Sequence, residues 1–161
     1  MAATALDHAD IAIHRVGAGN AHLLDRVDGD VFDHPVQPDL LQAFLANPAN
    51  LLVVAVHQGE VIGMASGIAY VHPDKPLQLF VNEVGVSARF HRNRVGTRLV
   101  EALLEQGREL GCADAWVATE VGNAPARGLY AAVGGKEDDD QAVVYLFALG
   151  DRGAQARDGD G

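Results

Sequence analysis

The sequence predicts an α/β (α+β) domain with a mixed, mainly antiparallel central sheet and helices on both faces. Three observations carry that expectation: apolar runs of strand character recur along the chain, segments of helical spacing lie between them, and Gly, Pro or Asn marks most junctions. The 161 residues are 48% hydrophobic, enough for a single domain around one core, assigned here to residues 1–149.

Ile11 to Val16 (IAIHRV) alternates apolar and polar side chains and reads as the first strand. Gly19 to Asp28 and Pro38 to Ala46 have helical spacing, and Asp39 lies in the first turn of the second, where a carboxylate complements the helix dipole. Between them, Asp28-Gly29-Asp30 lacks the spacing of a calcium loop and reads as a solvated turn. Leu51 to His57 and Val61 to Val71, joined by Gln58-Gly59-Glu60, form a predicted hairpin, with Gly63 and Gly67 marking a bend or bulge. After the turn His72 to Pro76, the strand Leu77 to Val86 completes a meander. A helix from about Arg94 to Leu110 ends at Gly111, followed by a strand at Ala113 to Thr119, a helix at Asn123 to Val133 and a last strand at Ala142 to Leu149. The tail, Gly150 to Gly161, has no periodicity and is expected to be disordered.

The formal net charge of -10 argues against general nucleic-acid binding and against anionic membranes, and favours a cationic partner in any acidic cleft. Cys112 is the sole cysteine, so no disulfide framework or zinc knuckle is expected, and a reducing, cytoplasmic compartment is the default. No apolar run approaches the roughly 20 residues of a membrane span. The seven histidines show no ligand spacing, so no metal is expected.

The most informative stretch is Phe80 to Leu104, where an apolar strand passes through His91-Arg92-Asn93-Arg94-Val95-Gly96-Thr97 into an amphipathic helix. The first N–H groups of that helix lack intrahelical partners, and the dipole adds positive charge there, so the turn suits an anion. Together with the element order, these residues resemble the GNAT superfamily of acetyl-CoA-dependent N-acetyltransferases over about residues 11 to 149. That family's cofactor signature, Gln/Arg-x-x-Gly-x-Gly/Ala, corresponds to His91, Arg94 and Gly96, of which only Gly96 fits. A second signature is present as Asn123, Ala126, Leu129, Tyr130 and Gly134.

The resemblance implies acetyl-CoA as co-substrate. The N–H groups of Arg92, Asn93, Arg94, Val95, Gly96 and Thr97 would face the pyrophosphate, and Val84, Gly85 and Val86 would line the pantetheine arm, with Asn123 nearby. Arg94 stands where the family has glycine, and a negative φ there would remove the conflict. Glu83 would take the proton of the attacking amine, directly or through water, because only a neutral amine attacks a thioester. Tyr130 would donate to the departing sulfur; with pKa values of about 10 and about 8.5, full proton transfer is uphill by about 2 kcal/mol, so a hydrogen bond is the expected role.

The segments Val27 to Gly67, NEVGVSARFHR and ATEVGNAPARGLYAAVGG resemble the aminoglycoside 3-N-acetyltransferase branch in particular. A polycationic acceptor would then meet Asp33, Glu83, Glu120 and Asp139 within the 138–140 loop. The alternatives are acetylation of another amine (a polyamine, an amino acid or a protein N-terminus) and an acyl-CoA-binding module without turnover. Similar proteins also form homodimers through their C-terminal strands.

Overall fold

The computed structural model describes residues 10–150, so the expectations for residues 1–9 and for the tail beyond Gly150 lie outside the described residues. Strand β1 (Ile11–Arg15) leads into a 3-10 helix (Ala18–Asp25), then α1 (Pro38–Ala46), β2 (Asn50–His57), β3 (Glu60–Tyr70) and β4 (Gln78–Val86). A short 3-10 turn (Ala88–Phe90) precedes α2 (Val95–Glu109), and β5 (Asp114–Trp116) and α3 (Ala124–Ala132) are the last elements of the described residues. The strands lie in the order β1-β2-β3-β4-β5, antiparallel up to β4, with β5 parallel to β4.

The β2–β3 hairpin turns on Gln58 and Gly59, both at positive φ (48° and 77°), the conformation that matches the twist of a two-residue connection. Two bulges then reset the alternation of side chains. Ala55 pairs with Gly63 and Val56 with Val61, leaving Ile62 extra on β3. Gly67 pairs with Val81 and Ser66 with Glu83, leaving Asn82 extra on β4. The register breaks therefore fall beside the glycines that predicted them.

One face of the sheet is covered by α2, whose Val95, Leu99 and Leu103 recur every four residues and are buried against Val53, Ala55, Ile62, Leu79 and Val81. On the other face, Leu52, Val54, Val61 and Met64 pack against Leu24 of the 3-10 helix and against Leu41 and Phe44 of α1.

Several expectations are corrected. Gly19 to Asp28 forms no α-helix: it is a kinked 3-10 segment, with Asn20 at φ −133°. The Asn20 side chain accepts from the Gly17 N–H (2.8 Å) and donates to the Arg15 carbonyl (2.9 Å), so local side-chain bonds outcompete a helical ladder. Asp28 is no solvated turn. Its side chain is 11% exposed and accepts from Ser87 Oγ and Arg89, which pins residues 28–33 to the end of β4. The Arg89 hydrogen bond holds the Asp28 carboxyl below its ordinary pKa.

The strand expected at Ala113 to Thr119 shortens to Asp114–Trp116. Ala142 to Leu149 forms no strand at all, and Val144, Phe147 and Leu149 are 81, 78 and 96% exposed. Apolar composition gives strand propensity, but a ladder needs a partner edge, and none of the described strands pairs with this segment.

Candidate active site

The bulge at Asn82 decides which side of the sheet each β4 side chain serves. Before it, Leu79 and Val81 enter the core beneath α2; after it, Val84 and Val86 do so. Strict alternation from Leu79 would put Glu83 in that core. The extra residue sends it to the opposite face instead, where it lines a cavity of about 400 Å³ with Asp33, Ser66 and Asn82. The remaining wall is mostly apolar and includes Phe32, Leu40, Leu41 and Phe44.

Glu83 is half-buried, and that burial, followed by the charge of Asp33, raises its carboxyl above the ordinary pKa. It is thus a carboxylate that binds a proton more readily than an exposed one. Gly85 shares the Glu83 face. A Cβ on it would overlap the Val31 carbonyl oxygen, so the absent side chain is what lets residues 28–33 close over the strand.

β5 pairs only with Gln78 to Phe80, and among the described residues no strand pairs with the other edge of β4 from Val81 to Val86. The free edge ends at the turn before α2. Arg92 and Arg94 both have positive φ (66° and 57°), which corrects the expectation of a negative φ at Arg94. The turn takes this course because Arg94, at ψ 19°, is the left-handed residue from which α2 starts, the conformation its usual glycine would adopt freely. A left-handed residue followed by the helical Val95 aims neighbouring N–H groups into one concavity, an anion-binding arrangement. No side chain caps α2, leaving the N–H groups of Val95, Gly96 and Thr97 without an intrahelical partner.

His91, the other departure from the signature, donates from Nε2 to the Val86 carbonyl at 2.9 Å and so ties the turn to the strand end. A Cβ on Gly96 would meet Leu129 of α3 at 3.3 Å and Val86 at 3.7 Å. The start of α2, the end of β4 and the middle of α3 therefore converge there. Asn123 caps α3 by accepting from the Ala126 N–H at 3.1 Å.

Tyr130 lies on the α2 side of the sheet and lines a second cavity, of about 340 Å³, with Leu79, Val81, Val100 and Trp116. Burial raises its phenol pKa, keeping it neutral and able to donate. Glu83 and Tyr130 thus line different cavities on either side of β4. Asp33 lines the same cavity as Glu83. Glu120 and Asp139 are exposed and do not line the Glu83 cavity. Within the acidic loop, Glu137 is held by Arg127 at 2.6 and 3.0 Å.

Sequence reasoning missed the apolar wall contributed by Phe32 and α1. The sequence carries no signal for it: only in the structure is α1 seen to be an apolar helix with no fully buried residue, its Leu40 63% exposed. Among the described residues, no three His, Cys, Asp or Glu side chains are grouped to hold a metal, and no helix is long and apolar enough to cross a membrane.

Comparison with known proteins places these features. An L-2,4-diaminobutyric acid acetyltransferase of Virgibacillus pantothenticus is 32% identical over 97 residues, 59% of this chain and 58% of that protein, so the match spans little more than half of the relative's length. An aminoglycoside acetyltransferase from an uncultured soil metagenomic sample, solved with trehalose, superposes with a TM-score of 0.74 at 16% identity, covering 88% of this chain and 98% of the other. Glucosamine-6-phosphate N-acetyltransferase from Arabidopsis thaliana gives a TM-score of 0.63 at 18% identity, covering 85 and 99%. These structural likenesses establish a shared fold. Residues 21–134 match the acetyltransferase (GNAT) family, and with the free β4 edge running into the uncapped start of α2, the chain belongs to that family.

Proposed function

We propose that this chain is an acetyl-CoA-dependent N-acetyltransferase that modifies a primary amine of a cationic small molecule by direct attack in a ternary complex. The observation that carries the reading is the free edge of β4 from Val81 to Val86, which ends at the concave turn of Arg92 to Thr97. Such an edge accepts an extended amide-bearing arm as it would another strand, and the turn suits a pyrophosphate. A similar fold has been solved with CoA in the aminoglycoside N-acetyltransferase AAC(6')-Iy, at 19% identity and a TM-score of 0.67.

When bound, the thioester supplies an acyl carbon open to attack by an amine. Backbone groups of Val84 hold the arm, Gly85 keeps residues 28–33 close, and the N–H groups of Arg92, Asn93, Arg94, Val95, Gly96 and Thr97 hold the phosphates. Asn123 orders the start of α3 beside the arm. Across the open edge of β4, Glu83 on one side removes the amine proton as the N–C bond forms, the Val86 N–H donates to the acyl oxygen, and Tyr130 on the other side hydrogen-bonds the sulfur as the C–S bond breaks, the departing thiolate taking its proton from solvent. The products are the amide and the free thiol.

An aminoglycoside acetylated at N3 is the second reading, supported by the sequence resemblance and by a fold shared with an aminoglycoside acetyltransferase. A thiol-release assay with acetyl-CoA and a panel of amines, alongside calorimetric titration of acetyl-CoA, tests both. We expect micromolar acetyl-CoA binding and amine-dependent thiol release, with Tyr130→Phe lowering kcat more than it weakens binding. No acetyl-CoA binding overturns the first reading; the position of acetylation on an aminoglycoside product, read by NMR, decides the second.

A further inference from the structure

The Glu83 cavity carries information about its acceptor beyond the need for an amine. Among the described residues, its charged lining consists of two carboxylates, Asp33 and Glu83, with His34 the only basic side chain and neither lysine nor arginine joining it. Most other lining residues are hydrocarbon, among them Phe32, Leu41 and Phe44. The cavity, about 400 Å³, is an open cleft with room for a small apolar body beside the two carboxylates. Leu40, also lining it, keeps 63% of its surface exposed, an apolar side chain waiting at the wall for a partner.

Resting on the acetyltransferase reading above, we propose that the acceptor is a compact amine with an alkyl or aryl body and no carboxylate, its ammonium between Asp33 and Glu83 and its hydrocarbon against Phe32 and α1. Three physical constraints converge on this class. A polyhydroxylated ring against Phe32, Leu41 and Phe44 would lose its hydrogen bonds to water without regaining them. An amino-acid carboxylate would meet two like charges and no fixed cation. The additional ammonium groups of a two- or three-ring aminoglycoside would find no further carboxylate there, because Glu120 and Asp139 do not line the cavity.

The test compares kcat/KM for phenethylamine, 1,3-diaminopropane, L-2,4-diaminobutyrate and kanamycin with saturating acetyl-CoA, reading thiol release. The second and third differ chiefly by one carboxylate. Phenethylamine is expected to lead, with diaminopropane at least tenfold better than diaminobutyrate and kanamycin poorest. Leu40→Ser, at an exposed position of the cavity wall, should lower kcat/KM for phenethylamine by about 3- to 10-fold and that for the shorter diaminopropane by a smaller factor. Equal or better turnover of kanamycin or diaminobutyrate overturns the proposal while leaving the acetyltransferase intact. Acetyl-CoA binding without turnover of phenethylamine also overturns it. Absence of acetyl-CoA binding removes both readings.

Discussion

The two halves of β4 share one partner, β3, and differ in nearly everything else. From Gln78 to Phe80 the strand is paired on both sides, and Leu79 and Val81 are buried beneath α2. From Glu83 to Val86 the β5 side is open, and Glu83 and Gly85 look toward Asp33 and Val31 on the opposite face. One extra residue, Asn82, separates the two regimes. The first half is fixed by packing and builds the scaffold. The second has an open side that no described strand pairs with and places a carboxylate where burial perturbs it. A bulge therefore turns a structural strand into a site-bearing one without ending it.

The largest expected effect comes from the charged member of the second half. Glu83→Gln should lower kcat/KM for an amine acceptor by about 10²- to 10⁴-fold, the usual contribution of a positioned base. The pH profile makes the test specific. A base must be ionised, so wild-type activity should rise with pH through the pKa of Glu83, above the ordinary value of about 4.3 because burial and then Asp33 raise it. The variant should lose that acidic limb. Stability runs the other way: between the ordinary and raised pKa the native state binds more protons than the unfolded chain, so wild-type stability falls as pH rises across that window. Urea unfolding at pH 7 should find the Gln variant no less stable than wild type. Reduced stability together with an unchanged pH profile would return Glu83 to a structural role.

The contrast within β4 also explains what was legible in the sequence. The hairpin, the meander and α2 follow from periodicity and turn residues, because each element pairs with a neighbour close in sequence or ends on a residue that signals its role. The glycines at 63 and 67 signalled the register breaks. Asn82 did not, since a polar residue in a strand looks the same whether it is paired or extra. Counting from Leu79 therefore gives the wrong face for Glu83, even though its residue type and place beside the turn singled it out. Ala142 to Leu149 has the composition of a strand but no edge to join among the described residues, and composition cannot report that. Asp28 looked solvated because its partners, Ser87 and Arg89, lie 59 and 61 residues away. The apolar wall of the Glu83 cavity escaped for a related reason. Leu40, Leu41 and Phe44 carry a core helix's pattern, and only the packing shows that their surface faces a cavity.

A steric change can separate the halves without touching charge. Gly85→Ala forces a methyl group onto the Val31 carbonyl oxygen, which cannot simply retreat because Asp28 anchors the same segment to Ser87 and Arg89. Overpacking of this kind costs about 1–3 kcal/mol, measurable by urea denaturation. The same displacement should move Phe32 and Asp33, raising KM for the amine several-fold while acetyl-CoA affinity, measured by calorimetry, stays within about twofold. A loss confined to acetyl-CoA affinity would mean that Gly85 serves the cofactor side of the strand instead.

The smallest expected effect lies where the open half of β4 meets α2. Arg94 holds a left-handed conformation at φ 57°, which costs an L-residue about 1 kcal/mol, whereas glycine adopts it freely but loses more entropy on folding. Arg94→Gly should therefore change stability by no more than about 1 kcal/mol, toward greater stability. If the backbone N–H groups of the turn and of α2 do the holding, acetyl-CoA affinity should remain within about threefold, since geometry is kept and only one exposed charge is lost. A loss of tenfold or more, relieved by raising the salt at which wild type and variant are compared, would assign the phosphates to the guanidinium itself. The arginine would then replace the family's glycine as a ligand, with its backbone strain offset by the ion pair it makes.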